Sequence, residues 1–154
     1  MRLDEFRVQN YKKIRDTGWV RCRDLTVLVG KNEAGKSAIF RGLSKLNPSD
    51  GEKYDGLKEF PRSRFTTEFT AKDWPVVSAR LLVSAEDQAE LVKICPALLG
   101  LTHVLCTRHY SWELTVGFEP PPPSGAVVAA RELRQAIDDL SAKVLDLTGP
   151  EGGG

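Results

Sequence analysis

Hydrophobic and polar residues alternate at the start of the chain. Within residues 3–11, Phe6 and Val8 alternate with polar neighbours, and residues 19–22 form a second short apolar run. Alternation with a period of two is typical of a strand with one buried face. The polar residues 12–16 between the two runs predict a turn, so the pattern as a whole predicts an antiparallel hairpin.

A strand and then a helix are predicted next. Residues 25–29 are a short apolar, β-branched run that ends at Gly30, as expected for a buried strand. Apolar residues then recur at helical spacing after Ser37, and Asn47 and Pro48 end the predicted helix. The apolar positions of this helix are Ile39, Phe40, Leu43 and Leu46.

The middle of the chain mixes broken and regular segments. Residues 47–75 hold prolines and glycines among many charges, which predicts a long loop or a broken insertion. Residues 76–83 predict a strand, and Ser84 predicts the N-cap of a helix that runs to about Ile94. Residues 103–118 contain two strand-like runs and predict another hairpin.

Four consecutive prolines mark the clearest boundary in the sequence. Residues 120–125 predict a stiff linker after a folded part that spans residues 1–119, with peptide recognition as the alternative. Residues 126–148 predict an amphipathic helix. It either begins a coiled-coil-like insertion or packs on the domain's own sheet. Residues 149–154 predict a flexible tail.

The composition is that of an ordinary globular protein. The chain has 154 residues, of which 41% are hydrophobic and 28% charged, enough for one domain with a real core. No apolar run reaches the roughly 18 residues that cross a bilayer, and no signal peptide follows Met1. Cys22, Cys95 and Cys106 fit a reducing compartment and predict small buried side chains. We therefore expect a cytoplasmic protein with no membrane partner.

The net charge of +1 hides an asymmetry along the chain. Residues 1–77 hold 16 of the 22 lysines and arginines but only 11 of the 21 acidic residues. This basic part fits a polyphosphate ligand and tolerates nucleic acid nearby, although it falls short of a self-sufficient DNA-binding domain. A solvated lysine-rich face is the alternative.

Glycines and a Lys-Ser pair between the predicted strand and helix form a phosphate-binding pattern with the spacing G-x-x-x-x-G-K-[ST]. Its residues are Gly30, Lys31, Asn32, Glu33, Ala34, Gly35, Lys36 and Ser37. Gly30 and Gly35 allow backbone angles that turn N–H groups toward a phosphate. Lys36 places its ammonium against the β- and γ-phosphates, and Ser37 can ligate Mg²⁺. Ala38, which follows directly, is included among the nucleotide contacts.

A glycine-rich turn that binds nothing is the alternative interpretation of this octet. Its position between a predicted buried strand and a predicted helix favours a nucleotide site, because the P-loop requires that context. The N-terminus of the helix also adds its positive dipole at the same point.

Residues 6–14 and 25–37 together resemble the start of an ABC-type ATPase head. That group includes the structural-maintenance-of-chromosomes proteins, the RecF-like repair ATPases and the OLD (overcoming lysogenization defect) family nucleases. The shared features are the Asn-aromatic-Lys of the first hairpin, at residues 10–12, and Asn32 in the octet.

Two features look most like the OLD-like branch. Glu33 and Ala34 stand in place of a small Gly/Ser pair, and residues 53–62 resemble a segment found after the first helix in that branch. The resemblance covers roughly residues 3–85. It implies an α/β P-loop NTPase fold: the N-terminal lobe of an ABC-type head, with a mixed sheet and antiparallel strands around the P-loop helix, incomplete in this chain.

The resemblance also implies ligands and partners. It implies ATP with Mg²⁺, with Lys36 as the catalytic residue that stabilises charge on the γ-phosphoryl group. It further implies a homodimer of heads and ATP-gated work on DNA, extending to nuclease activity in phage defence. In the relatives the first hairpin turn lies near the α-phosphate and ribose, so Lys12 and Lys13 are candidate nucleotide contacts. Solvated turn lysines are the alternative.

Other motifs needed for hydrolysis are missing from the sequence. The apolar run nearest to a Walker B strand, residues 81–83, is separated from Glu86 and Asp87, which are expected to cap the next helix. Residues 144–146 are a weaker candidate. No Ser-Gly-Gly signature, suitably placed Q-loop glutamine or guanine-specific Asn-Lys-x-Asp occurs.

We therefore expect an N-terminal piece of a longer ATPase. The alternatives are a nucleotide-binding module without turnover and a small P-loop kinase. The N-terminal hairpin and the absence of lid arginines disfavour the kinase.

Two weaker candidates remain. His103, Cys106 and His109 have a metal-like spacing, but on a strand Cys106 points away from the two histidines, so no metal site is expected there. Arg62 and Arg64 are candidates to face phosphate or DNA, with ordinary surface arginines as the alternative.

Overall fold

The computed structural model describes residues 1–30, 35–48 and 51–122. The chain divides into two compact units. The larger consists of Leu3–Leu81 and Leu105–Gly117, and the smaller of Met1–Arg2, Leu82–Val104 and Phe118–Gly154.

The described residues form a mixed α/β structure with a six-stranded sheet. The strand order is β2-β1-β4-β5-β6, and β3 pairs with β1 beside this path. The strands are β1 (Arg2–Tyr11), β2 (Ile14–Asp16), β3 (Val20–Arg21), β4 (Pro75–Leu82), β5 (His103–His109) and β6 (Leu114–Glu119). The helices are α1 (Lys36–Ser44), α2 (Gly56–Glu59), α3 (Arg62–Glu68) and α4 (Ala85–Ile94), with 3₁₀ turns at Phe69–Ala71 and Pro96–Leu98.

The predicted N-terminal hairpin is present, and β1 pairs antiparallel with both β2 and β3. Its turn is tighter than predicted, because Ile14–Asp16 forms a strand and only residues 12–13 turn. Ile14 is buried in the core, which fixes β2 against β1. Arg7 donates to both oxygens of Asp16, and this hydrogen bonding is the main reason that the pKa of Asp16 falls to about 2.

The core of the larger unit lies where β1 and β4 meet α1. The alternation predicted for β1 is confirmed, since Phe6 and Val8 are buried, and Val76 and Val77 of β4 are buried with them. Residues of α1, including Ile39, pack partly buried against this cluster. The prediction that a helix follows the octet is confirmed, since α1 begins at the lysine of the octet.

The prediction of a strand at residues 25–29 is wrong. These residues have no regular secondary structure, and Leu25, Val27 and Val29 are exposed to 81%, 67% and 90%. An apolar strand of this kind needs paired strands beside it and layers on both faces. Among the described strands, none pairs with residues 25–29, so the run lacks the neighbours that would bury it.

Residues 47–75 were predicted as a long loop or a broken insertion. They contain the short helices α2 and α3, so the second of these predictions fits the structure better. Asp55 caps α2, because its side chain accepts from the N–H groups of Leu57 and Lys58. Phe60 follows α2 and is 1% exposed, with Phe69 in edge contact at 5.1 Å between ring centres. Aromatic packing therefore anchors this segment.

The smaller unit contains α4, whose start was predicted correctly. Ser84 and Asp87 form a capping box at its N-terminus, in which each side chain bonds the other residue's backbone N–H. The N-terminal amino group of Met1 lies 2.6 Å from Asp87. Glu86 and Asp87 therefore lie in the first turn of α4, which is the capping position that their spacing predicted.

The hairpin predicted at residues 103–118 is confirmed as β5 and β6. The His109 N–H donates to the Glu113 carbonyl at 3.0 Å and closes the hairpin. Cys106 on β5 is buried, as predicted for a small hydrophobic residue, and burial raises the pKa of its thiol to about 11.

Along the described parts of the chain, every helix is too short or too polar to cross a membrane. Residues 123–125 of the predicted linker, the amphipathic helix predicted at residues 126–148 and the tail predicted at residues 149–154 lie outside the described residues.

We predict that Gly42→Ala destabilises the fold. A Cβ at Gly42 would lie 2.9 Å from Cγ1 of Val8, which is fully buried and stiff at χ1. Overpacking of about 2–3 kcal/mol should outweigh the gain of about 1 kcal/mol in helix propensity, for a net loss of roughly 1–2 kcal/mol in urea unfolding. Gly117→Ala is the control, because its Cβ would meet Leu105 at no less than 3.7 Å. Equal stability of the two variants would contradict this packing.

Candidate functional site

The N-terminus of α1 is the candidate phosphate site. Gly35 is its N-cap, in the left-handed conformation with φ 88° and ψ 13°, where a side chain would be strained. None of the described side chains caps this end, and no acidic residue lies in the first turn. The first N–H groups of a helix have no partner within it, and the helix dipole makes this end positive. This end of α1 can therefore accept an anion.

Lys36 folds back across the octet. Its Nζ donates to the carbonyl of Gly30, at the opposite end of the motif. Ser37 is exposed, and Ala38 is partly buried against the core. The structure thus brings together the two ends of the octet at the start of α1. Between them, the predicted contacts Lys31, Asn32, Glu33 and Ala34 lie outside the described residues.

The first hairpin turn lies beside this helix start. A Cβ added to Gly35 would be 3.7 Å from Cγ1 of Ile14, the residue that follows the turn. Lys12 takes a positive φ of 53°, and its N–H donates to the Glu59 carbonyl at 2.5 Å. Lys13 is exposed. The residue that follows the turn, Ile14, therefore lies beside the N-cap of α1.

A buried ionic network, which the sequence reasoning missed, holds the other end of α1. The Nζ of Lys45, just after α1, lies 2.8 and 3.0 Å from the two carboxylate oxygens of Glu59. The Tyr11 hydroxyl donates to Glu59 at 2.8 Å, and the Asp55 N–H donates at 3.0 Å. Lys45 is 5% and Glu59 7% exposed. The network therefore ties α1 to the end of β1 and to α2.

The hydrogen bonds in this network also set the pKa of Glu59. Burial by itself would raise the pKa of this carboxyl. The hydrogen bonds from Lys45, Asp55 and Tyr11 outweigh that effect and lower it. The apolar spacing of the predicted helix did not mark Lys45 for burial, since its position three residues after Gly42 is informative only once the structure shows Gly42 packed inward.

Arg108 of β5 holds the chain that leaves α1. Its guanidinium donates to the Leu46 carbonyl at 3.0 and 3.3 Å, and to the Trp112 carbonyl at 3.1 Å. It also lies 4.7 Å from the centre of the Trp112 ring. Burial lowers the pKa of Arg108. A cation at this end complements the negative C-terminus of the helix.

The other candidates sit apart from this arrangement. Among the described residues, no group of three or more His, Cys, Asp and Glu side chains could hold a metal ion. His109 lies 3.6 Å from Asp73, whose carboxylate also accepts from the backbone N–H of Ser111. Arg64 is bound to Glu68 and Asn10, and Arg62 is exposed.

Residues 1–47 match the model of a protein family described as an AAA domain. The matched segment contains the hairpin, the octet and α1, and covers just under a third of the chain. The match supports an AAA-type ATPase domain and nucleotide binding in this part of the protein. Such a domain implies ATP and usually Mg²⁺. No curated protein matches the chain.

We predict that Lys45→Met destabilises the protein more than the double variant Lys45→Met/Glu59→Gln. The single change leaves a buried carboxylate without its cation, which costs about 3–5 kcal/mol, whereas the double variant removes both charges and keeps an amide oxygen that accepts from Tyr11 and Asp55. Urea unfolding at pH 7 measures both variants. The buried ion pair would be refuted as a stabilising contact if the single variant unfolded at the wild-type midpoint.

Proposed function

We propose that this chain binds Mg·ATP at the N-terminus of α1, with residues 30–37 as its phosphate-binding loop. One observation carries the proposal: Gly35 takes the left-handed conformation at the N-cap and is followed at once by Lys36 and Ser37. A left-handed glycine before an uncapped helix start allows successive N–H groups to converge on one anion.

Each predicted contact has a distinct role in this proposal. Lys36 leaves the Gly30 carbonyl and pairs with the β- and γ-phosphates, because an anion is a stronger partner than a neutral carbonyl. Ser37, exposed in the first turn, offers its hydroxyl to Mg²⁺. Lys12 and Lys13 reach the α-phosphate and ribose from the neighbouring turn.

The finer part of the proposal is an OLD-like, ABC-type ATPase head that works on DNA. In this view ATP is hydrolysed by a homodimer of complete heads, with a nuclease function in phage defence. The exposed apolar run at residues 25–29 supports it, because further strands would bury that run. The missing Walker B and signature motifs also fit a lobe that needs a second one.

A nucleotide-binding module without turnover is the second candidate. The absence of those same hydrolytic motifs from the sequence favours it. Phosphate release by a protein that also carries the Walker B and signature motifs distinguishes the two ideas, since the ATPase head then releases phosphate, whereas a module binds ATP and releases none.

We predict that Lys36→Ala weakens binding of a fluorescent ATP analogue by about 10- to 150-fold. This range corresponds to the loss of one or two hydrogen bonds to a charged group, roughly 1.5–3 kcal/mol. Lys93→Ala is the matched control, because Lys93 is exposed and its partner among the described residues is Glu90 on α4. The same affinity for wild type and Lys36→Ala would refute the site.

We also predict opposite effects of Lys12→Gly on stability and on binding. Glycine removes the strain of a positive φ and should stabilise the hairpin by about 0.5–1 kcal/mol. Nucleotide affinity should fall by several-fold because the ammonium is lost. Thermal unfolding and analogue titration measure the two effects, and Lys13→Gly controls for loss of a lysine without relief of a positive φ. Unchanged affinity would identify Lys12 as a solvated turn residue.

A further inference from the structure

A cluster of cations lies beside the first hairpin turn, in the larger unit. We call it the basic face and define it by Arg15 on β2, Arg62 and Arg64 on α3, and Lys72 after the 3₁₀ turn. Arg15, Arg62 and Lys72 are exposed, and none of these three forms an ion pair with a residue that the structure describes.

Direct contacts hold the basic face together. Arg64 donates to Asn10 at the end of β1 at 2.8 Å and to Glu68 at 2.5 and 2.9 Å. Its guanidinium lies 5.0 Å from the Trp74 ring centre, and Lys72 Nζ lies 4.2 Å from the same centre. The face therefore has a fixed framework, with Arg64 as its structural centre.

Several cations of the basic face act on the carboxylate of Glu68. The pKa of Glu68 is lowered, first by its hydrogen bond from Arg64 and then by the charges of Arg64, Arg15 and Lys72, against opposing desolvation. One acidic residue thus lies among three of these cations. Lys12 and Lys13 lie in the adjoining turn, and Lys13 is exposed.

We propose that the basic face contacts the phosphate backbone of a nucleic acid. This inference rests on the proposed work on DNA and names the residues that would contact the DNA. The cations stand among exposed hydroxyl side chains, and cations with hydroxyls are the groups that usually contact phosphates. These hydroxyl residues are Ser63, Thr66, Thr67 and Thr70.

The chemistry of the face favours nucleic acid over an anionic membrane. A helix that lies in a membrane surface inserts large apolar side chains, and α3 exposes none among its residues. Arg64 and Lys72 both lie over the ring of Trp74, so this ring is already in contact with cations and is poorly available for stacking with a base. The proposed contact is therefore with phosphates and does not recognise a base sequence.

The triple variant Arg15→Gln/Arg62→Gln/Lys72→Gln tests this surface and spares Arg64, Lys12 and Lys13. Binding of a labelled duplex of about 20 base pairs and arbitrary sequence should weaken roughly 10- to 100-fold at about 50 mM salt. The slope of log affinity against log salt should become shallower by about 2–3, close to 0.9 for each lost phosphate contact. Thermal unfolding of the variant checks that it is folded.

Arg23→Gln/Lys53→Gln/Lys93→Gln is the control, since it removes the same charge from exposed positions elsewhere. It should bind the duplex within about threefold of wild type. Equal loss in both triple variants would overturn the proposal, because general charge would then explain the binding. The proposal would also be overturned if the triple variant of the basic face lost binding to phosphatidylserine vesicles and bound the duplex as wild type does.

Lys36→Ala separates this inference from the nucleotide site. Without ATP, the Lys36→Ala protein should bind the duplex as wild type does, because Lys36 lies outside the basic face. If wild type fails to bind the ATP analogue but the basic-face variant still loses the duplex, the nucleotide site fails and this surface stands. If the analogue binds and wild type shows no salt-dependent duplex binding, the surface fails by itself.

Discussion

The close approach of α1 to β1 is the constraint on which the rest of the larger unit depends. Gly42 faces the buried Val8 with no room for a methyl group between them. Such tight packing fixes the position of the helix, because interiors at this density tolerate little displacement. It is also what allows the start of α1 to lie beside the first hairpin turn, where Gly35 approaches Ile14.

The two ends of α1 differ in the side chains that surround them. Lys45 and Arg108 hold the chain at its C-terminal end through a carboxylate and backbone carbonyls, in agreement with the helix dipole. At the N-terminal end, the first turn has no acidic residue, no side-chain cap comes from the described residues, and Lys36 begins the helix. Cations thus hold one end, while the described part of the other end has the charge that suits an anion.

The hairpin turn joins the two surfaces to which we assign ligands. Lys12 and Lys13 form the turn that precedes Ile14, which lies beside Gly35, and Arg15 belongs to the basic face. Asn10 ties the same hairpin to Arg64, and the Lys12 N–H ties it to Glu59. The conformation of this turn therefore affects both surfaces, although each makes its own contacts.

The sequence by itself determined the elements whose signals are local. The alternation in β1, the cap at Ser84, the start of α1 and the hairpin of β5 and β6 follow from neighbouring residues, and the structure has them. Only the tertiary structure decided that residues 25–29 are exposed, that β2 forms inside the predicted turn, and that Glu59 is buried with Lys45. Burial and pairing depend on which distant segments are present to pack, and no periodicity within a short window carries that information.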